Sequence, residues 1–597
     1  MNSTATSEGG RSFWWLGCTL ALAAVTFLVG LSDAPIERAE IYFLDAARAM
    51  VERSDWLVPY YRGEPFYDKP PLTYWLLALG FEAFGPSLFS GRLVAALIAL
   101  ATLGATFFAT KRLIDRSSPL PLEAPTAAFF ATAILATSYA FVSFARLTMS
   151  DMLLTLLTLL AGFAYLRSEV EAKPAWLVVC GVLLGLGLLT KGPIAWIYFG
   201  ALLVATALVE RRLPRIFTIF GLWGTISAFA VGLSWFFFVY LREGLEPLKW
   251  FFLRENLQRF AAPTYDAAQP FWYYFAIYAV EGLPWSVLAV PAVLYAFRPG
   301  SPKILRVLFL WSMLMLVPLS LSKGKIDYYL LPLLPPLSVV IGAYLAIGAP
   351  SARTLRTLAV LTALLLLGAA AFPMLPEPFA PRPAVVMGMR GFLILASLMC
   401  LGTAIRPHAR TIVAACAASV LGTALFLFGA IVPAYRSAQP TEELIDDIAR
   451  ERAYTPELEV AVCDDTLRLQ RDILFTLRMT VIENCELWSV VSSSRKFLVI
   501  VTQAQEKSLR TAENVRHIET RPHLPADVTR VSTLLSGPEV ANVGLLANFQ
   551  TTDAVARQKR NREFKRWLDT PEGQKAEAEW RERDARRTEE RRRAGLK

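Results

Sequence analysis

Long apolar stretches recur along the first 433 of the 597 residues. Most are about 17–25 residues long, the length that an α-helix needs to cross the hydrocarbon core of a membrane. The pattern predicts a mainly α, polytopic membrane protein with about thirteen transmembrane helices in residues 1–433. The expected spans are 13–32, 88–110, 126–145, 149–166, 175–190, 192–209, 216–240, 271–297, 304–322, 327–347, 355–372, 390–405 and 411–433.

Lysine and arginine are concentrated in alternate short loops between these spans. Positive charge in short loops resists translocation, so we expect these loops on the cytosolic side of the membrane. The chain is then a multi-pass protein of the plasma (inner) membrane with a cytoplasmic N-terminus. Its loop 33–87, its loop 242–270 and residues 434–597 face the periplasm or the extracellular side.

Beyond the last predicted span, the sequence becomes that of a soluble domain. Strands expected at 458–463, 479–483 and 496–502 alternate with helices expected at 441–452 and 466–478. This alternation predicts a small C-terminal α/β domain over 434–550, and the charged residues 551–597 predict a helical or disordered tail.

Two cysteines, Cys463 and Cys485, lie at the ends of the first two predicted strands. If those strands are parallel neighbours, both thiols emerge at the same edge of the sheet. A disulfide in an oxidising compartment fits this placement, and so do two buried thiols.

The composition agrees with a membrane protein, since 55% of the residues are hydrophobic and 18% are charged. Soluble proteins average about 25% charged residues, so a fully soluble chain and a disordered chain are both excluded. The formal charge of +10 does not indicate nucleic acid as a partner, because residues 557–597 alone hold 15 Lys and Arg against 9 Asp and Glu. The six cysteines lack the spacing of a zinc site, and the metal requirement is left open.

Ionisable residues gather in the predicted outer loops. Charge at membrane depth is expensive, so such a gathering favours a polar functional site. Snorkelling of Lys and Arg at the interface is the alternative, and it explains the carboxylates poorly. The outer-face charges include Glu37, Glu40, Asp68, Lys69, Asp151, Lys191, Arg259 and Lys325.

The first outer loop, 33–87, begins with an amphipathic pattern that predicts an interfacial helix over 36–53. Glu37 and Glu40 are three residues apart and point the same way from one turn, either into a site or as a solvated face. Asp68 and Lys69 precede two prolines, which fix the backbone and hold both side chains at the mouth of the next apolar helix.

Several motifs in this order resemble one family. Segment 55–59 reads Asp-Trp-Leu-Val-Pro, and segment 63–76 reads Gly-Glu-Pro-Phe-Tyr-Asp-Lys-Pro-Pro-Leu-Thr-Tyr-Trp-Leu. Together they resemble the first-loop signature of polytopic GT-C glycosyltransferases, in the bacterial branch of lipid A aminoarabinose transferases and relatives of protein O-mannosyltransferases. Further segments match in order and extend the resemblance over roughly residues 13–347: 151–154, 189–193, 256–260, 270–274 and 321–332.

The resemblance implies a GT-C type fold and transfer of a sugar from a polyprenyl-phosphate donor. The acceptor would be lipid A, another glycolipid or a protein at the outer face, with membrane lipids as further partners. It matches Asp68 and Lys69 to the paired acidic and basic positions, Lys191 and Arg259 to phosphate contacts, and Tyr329 to an aromatic contact.

The charges suit this chemistry on independent grounds. A lipid-phosphate leaving group needs fixed cations and hydrogen-bond donors, for which the suitable groups are Lys69, Lys191, Arg259, Lys325 and Tyr329. The acceptor needs a carboxylate as base or orienter, for which the candidates are Glu40, Asp68, Asp151 and Glu37. For Asp151 the alternative is a helix N-cap. No cofactor is required, although a divalent cation would suit an oxygen-rich site.

One position departs from the family pattern. The family commonly opens its first loop with an adjacent Asp-Glu pair, and here the equivalent residues are Ala39 and Glu40. Glu40 then acts alone, or Glu37 or Asp33 replaces the missing carboxylate. Two further classes remain open: a transporter or flippase of lipid-linked sugars, and a non-catalytic assembly factor. Flippases commonly bind near the midplane on broken helices and show internal repeats, which this sequence does not.

Overall fold

The computed structural model describes residues 2–118 except position 38, 123–258, 269–371 and 383–438, followed by short stretches of the C-terminal part. Those stretches are 444–445, 448–449, 459–462, 470–477, 481–483, 497–502, 516–523 and 541–547, with positions 574 and 578. The chain forms two compact units. The first comprises Met1–Leu31, Tyr42–Ala371 and Met389–Leu425, and the second comprises Ser32–Ile41, Phe372–Gly388 and Phe426–Lys597.

Helices dominate the described residues up to position 438. The α-helices are Asn2–Leu28, Glu40–Arg53, Leu72–Phe84, Leu88–Ser117, Ala124–Ala136, Tyr139–Phe144, Ser150–Val170, Trp176–Lys191, Ile194–Glu210, Ile219–Glu243, Glu246–Lys249, Tyr273–Glu281, Ala289–Ala296, Lys303–Leu321, Leu334–Ile347, Ala352–Ala371, Pro383–Ile405, Ala409–Phe426 and Val432–Ala438. Between them lie the 3-10 helices Trp285–Leu288 and Asp327–Leu333 and the π-helices Trp250–Gln258 and Leu427–Ile431.

Eight helices within the described ranges are long and apolar enough to cross a membrane. A ninth candidate is the pair Tyr273–Glu281 and Trp285–Ala296, which is bent by 112°. Other predicted spans coincide with shorter apolar helices: Leu16–Leu28, Ala124–Ala136, Trp176–Lys191 and Ile194–Glu210. The count of thirteen therefore stays a prediction.

Two of these helices touch backbone to backbone. A Cβ atom added at Gly181 would lie 1.9 Å from the carbonyl oxygen of Gly224, and one added at Gly224 would lie 2.3 Å from that of Leu177. Small residues permit such close packing of membrane helices, where lipid offers no hydrophobic drive for association. This contact joins Trp176–Lys191 to Ile219–Glu243 and so fixes the helix that ends at Lys191.

The first outer loop is more structured than predicted. The helix predicted over 36–53 begins at Glu40, and residues 36, 37 and 39 are not helical. A two-stranded hairpin, Tyr60–Tyr61 with Glu64–Pro65, turns through Gly63, whose φ of 86° favours glycine. The apolar helix expected after the two prolines is Leu72–Phe84, which was not counted among the spans because its 13 residues are too few to cross a membrane.

The Asp55–Pro59 motif of this loop is fastened to a neighbouring helix. Arg242 donates hydrogen bonds of 2.9 and 2.7 Å to the two carboxylate oxygens of Asp55. Burial raises the pKa of Asp55, but the hydrogen bonds from Arg242 and from the backbone N–H groups of Val58 and Leu57 outweigh it. The pKa therefore lies below its usual value of 3.8. Trp235 adds an indole hydrogen bond of 2.8 Å to the Leu57 carbonyl.

The second unit contains a five-stranded mixed sheet. Glu459–Val462 pairs in parallel with Val481–Glu483 and Phe497–Thr502, and the helix Gln470–Leu477 lies between the first two in sequence. Two strands that were not predicted, Arg516–His523 and Ala541–Ala547, extend the sheet in antiparallel pairing. Cys463, Cys485, most of the predicted helix 441–452 and nearly all of the tail 551–597 lie outside the described residues, so the disulfide and the domain limits stay predictions.

Candidate active site

The first charged group lies where two helix ends meet. Asp151 stands in the first turn of Ser150–Val170, and Lys191 is the last residue of Trp176–Lys191. Each charge is favourable at its end of the helix dipole. The Lys191 ammonium forms an ion pair with the carboxylate of Asp151, whose side chain is 4% exposed. The alternative role of Asp151 as an N-cap is wrong, because the cap position is Met149.

Two tyrosine rings cover the same ammonium group. The Nζ atom of Lys191 lies 4.3 Å from the ring centroid of Tyr329 and 5.4 Å from that of Tyr328. A cation this close to an aromatic face is attracted by the ring quadrupole. Three separate sequence motifs thus meet at one place, contributing Asp151, Lys191 and Tyr329.

The second charged group is Asp68 and Lys69, and the π-helix Trp250–Gln258 holds both of them. The Trp250 indole N–H donates a hydrogen bond of 2.9 Å to the Asp68 carboxylate. The Lys69 ammonium lies 3.6 Å from the Glu255 carboxylate and donates to the Asp68 carbonyl at 2.9 Å. Because a π-helix bonds residue i to residue i+5, positions 250 and 255 stand one above the other on the same face.

Trp250 and Glu255 were not predicted as site residues. Glu255 directly precedes the 256–260 motif, and a carboxylate at membrane depth is a signal for function. The sequence does not signal the π-helix, whose period differs from the 3.6-residue pattern by which helices are recognised.

The π-helix also contacts the turn that follows Lys191. Gly192 has a φ of 80°, and a Cβ atom added there would lie 2.7 Å from Cζ of Phe251. The Asn256 side-chain oxygen would lie 3.5 Å from the same Cβ. One element therefore contacts both the Asp68–Lys69 pair and the chain immediately after Lys191, and it brings the two charged groups into one region.

Lys325 was predicted as a phosphate ligand, but its ammonium group is bound to backbone carbonyls. Its side chain is buried, and its ammonium donates to the backbone carbonyls of Gln269 at 3.0 Å and Ser322 at 2.6 Å. Burial lowers the pKa of Lys325. The contacts that the structure describes for this side chain fasten a loop and do not join it to Lys191.

Glu37 and Glu40, at the start of the first loop, belong to the second unit. The Glu37 backbone N–H donates to a Glu40 carboxylate oxygen at 3.0 Å. Glu40 is fully buried, so the alternative of a solvated face is wrong for this residue. Arg259 lies outside the described residues, and its predicted phosphate contact stays a prediction.

Metal ligation was left open from the sequence. Among the residues that the structure describes, no group of three or more His, Cys, Asp or Glu side chains is placed to hold a metal ion.

Several known proteins are similar to this chain in sequence. A family model described as dolichyl-phosphate-mannose-protein mannosyltransferase matches residues 68–235. An undecaprenyl phosphate-alpha-4-amino-4-deoxy-L-arabinose arabinosyl transferase of Pseudomonas savastanoi pv. phaseolicola is 33% identical over 307 residues, which are 50% of this chain and 55% of that protein. A protein of the same description from Pseudomonas aeruginosa is 30% identical over 54% of this chain and 59% of its own length. The chain thus spans a little over half the length of these curated relatives.

Solved structures extend the similarity to the fold. ArnT from Cupriavidus metallidurans bound to undecaprenyl phosphate matches 90% of this chain and 98% of its own, with a TM-score of 0.67 and 19% identity. The chain has the GT-C fold. The GT-C resemblance predicted from the sequence motifs is confirmed, and it points to the aminoarabinose transferases. With its apolar helices, this GT-C chain is a multi-pass protein of the inner membrane.

Proposed function

We propose that this protein is a polyprenyl-phosphate-sugar-dependent glycosyltransferase that delivers a pentosyl or hexosyl group to an envelope acceptor, with lipid A as the first candidate. The observation that carries the proposal is the meeting of Lys191, Asp151 and Tyr329 beside the π-helix that holds Asp68 and Lys69. The descriptions of the similar transferases, which name an undecaprenyl phosphate sugar, support the same chemistry.

The proposed reaction is a single inverting displacement. The acceptor oxygen attacks the anomeric carbon, the bond from that carbon to the phosphate oxygen breaks, and the electron pair leaves with the phosphate. The acceptor proton passes to a carboxylate, for which Asp68 and Glu40 are the first candidates and Glu37 the next. No sugar becomes bound to the protein in this scheme.

Fixed cations stabilise the departing phosphate. Lys69 and Lys191 supply positive charge, Arg259 adds a third cation, and Tyr329 orients the Lys191 ammonium through its ring. Asp151 acts by keeping Lys191 at the site. Lys325 contributes by fastening the loop before Asp327 rather than by touching the phosphate.

The proposal includes the arrangement in the membrane. Thirteen spans with a cytoplasmic N-terminus place this site, the 434–550 α/β domain and the 551–597 tail on the periplasmic or extracellular side. Cysteine accessibility to a membrane-impermeant reagent tests this orientation: a cysteine introduced at exposed Lys249 is labelled in intact spheroplasts, and one at exposed Arg353 only after lysis.

The decisive experiment supplies purified protein in liposomes with a radiolabelled polyprenyl-phosphate sugar and lipid A. We expect release of the polyprenyl phosphate with label in the acceptor. Lys69→Ala and Arg259→Ala should abolish transfer while membrane insertion is kept, and Lys249→Ala, at an exposed ion pair, is the matched control. Movement of intact donor across the vesicle without transfer would instead establish a flippase. Full activity in both Lys69→Ala and Arg259→Ala would refute the site.

A further inference from the structure

Transfer changes the charge of the lipid at the site, if the proposed function holds. The donor is a phosphodiester with one negative charge. The product is a phosphomonoester, which carries about 1.5–2 negative charges at pH 7. The cations of the site therefore attract the product more strongly than the donor. Without an opposing negative charge, the polyprenyl phosphate product would stay bound at the site and slow turnover.

Glu255 is placed to supply that opposing negative charge. Its carboxylate lies 3.6 Å from the Lys69 ammonium, and its side chain is 4% exposed, against 23% for Lys69. Solvent and salt screen a buried charge weakly, so Glu255 acts on whatever anion Lys69 meets. The π-helix holds the carboxylate on the same face as Trp250, whose indole fastens Asp68.

We propose that Glu255 weakens binding of the polyprenyl phosphate product more than binding of the donor, and that it thereby promotes product release. Coulomb repulsion from a fixed charge is proportional to the charge of the ligand. If loss of the Glu255 charge strengthens binding of a monoanion about threefold, it strengthens binding of a dianion about tenfold. Glu255 is then a specificity-determining residue that distinguishes diester from monoester.

Two lipid probes separate this role from a structural one. Undecaprenyl phosphate represents the product, and its methyl diester represents the singly charged donor. Both are titrated at about pH 8, and again at about pH 5.5, where the monoester loses much of its second charge because its second pKa is about 6. The proteins are the wild type, Glu255→Gln, Glu255→Asp and the control Glu246→Gln, which removes an exposed carboxylate paired with Lys249.

We expect Glu255→Gln to bind both probes more tightly at pH 8, with a gain about threefold larger for the monoester, and we expect this excess to shrink at pH 5.5. Glu255→Asp and Glu246→Gln should keep the wild-type ratio. A folding defect would weaken the binding of both probes, whereas the proposal requires tighter binding. If Glu255→Gln does not yield folded protein, the smaller neutral variant Glu255→Ser gives the same comparison.

The outcomes distinguish a failure of the proposed function from a failure of the role given to Glu255. If the wild type binds neither probe, the proposed function is wrong and this inference falls with it. If the wild type binds undecaprenyl phosphate and neutral Glu255 variants leave the monoester-to-diester ratio unchanged or lower, this inference alone is wrong. An equal rise of the ratio in Glu246→Gln also overturns it, because the effect would then be a general one of negative charge near the membrane.

Discussion

The ion pair between Asp151 and Lys191 gives the sharpest test of the site. Lys191→Ala leaves the carboxylate of Asp151 without its cation, and the side chains of Asp151 and Lys191 are 4% and 13% exposed in the native protein. Two unit charges in contact attract by about 5 kcal/mol at an effective dielectric constant near 20, and breaking a buried pair typically costs about 3–5 kcal/mol. We expect Lys191→Ala to lower the free energy of unfolding by about that amount.

A second change, at Asp151, shows whether the unpaired Asp151 carboxylate causes the loss of stability in Lys191→Ala. Asp151→Asn in the Lys191→Ala background removes the carboxylate charge, so we expect the double variant to be about 2–3 kcal/mol more stable than the sum of the single changes predicts. Denaturant titration in detergent micelles measures all four proteins. Sugar transfer should be lost in Lys191→Ala and in the double variant alike, because both lack the phosphate cation.

An exposed pair on the same protein provides the control. The side chains of Lys249 and Glu246 are 50% and 81% exposed, and such surface pairs couple by about 1 kcal/mol or less. Additive effects of the Asp151 and Lys191 changes, matching those of the exposed pair, would show that burial does not strengthen the ion pair and would refute the reasoning.

Three further results are expected. Gly192 has a φ of 80°, and a new Cβ atom there would press against the π-helix, so Gly192→Ala should weaken binding of undecaprenyl phosphate. Gly63→Ala is the control, because Gly63 has a φ of 86° and no atom within 4 Å of the new Cβ. It should add only about 1–3 kcal/mol of backbone strain, measured by unfolding titration. Because the pKa of Asp55 is lowered, the ionised Asp55 carboxylate stabilises the folded protein fully above pH 3.8, and this stabilisation is lost as the pH falls through the lower folded-state pKa. Asp55→Asn should remove this acid-sensitive part of the thermal stability. Trp250→Phe removes the hydrogen bond to Asp68 and should slow transfer about tenfold with unchanged expression, measured at saturating donor.

The sequence predicted those site residues that stand at helix ends. Asp151 and Lys191 were identified because apolar runs stop beside them and because charge is expensive there. Their mutual contact was not predicted, since no local pattern states which helix ends are neighbours. The amphipathic pattern likewise placed the interfacial helix but not its start at Glu40.

Contacts made by side-chain direction or irregular backbone were beyond prediction. Lys325 has the right charge, but its ammonium binds two carbonyls of its surroundings. Glu255 and Trp250 depend on the π-helix, and the 112° bend between Tyr273–Glu281 and Trp285–Ala296 falls inside what reads as one apolar run. Tertiary packing decides each of these, and hydrophobic periodicity does not encode it.

The glycine contact between Trp176–Lys191 and Ile219–Glu243 identifies two positions that should tolerate substitution poorly. Gly181 lies ten residues before Lys191, about 15 Å along the helix, and neither it nor Gly224 has a functional group. Any larger residue at either position must push the two helices apart and carry the ammonium with them. In a saturation library scored for sugar transfer, these two silent positions should be as intolerant as the charged residues themselves.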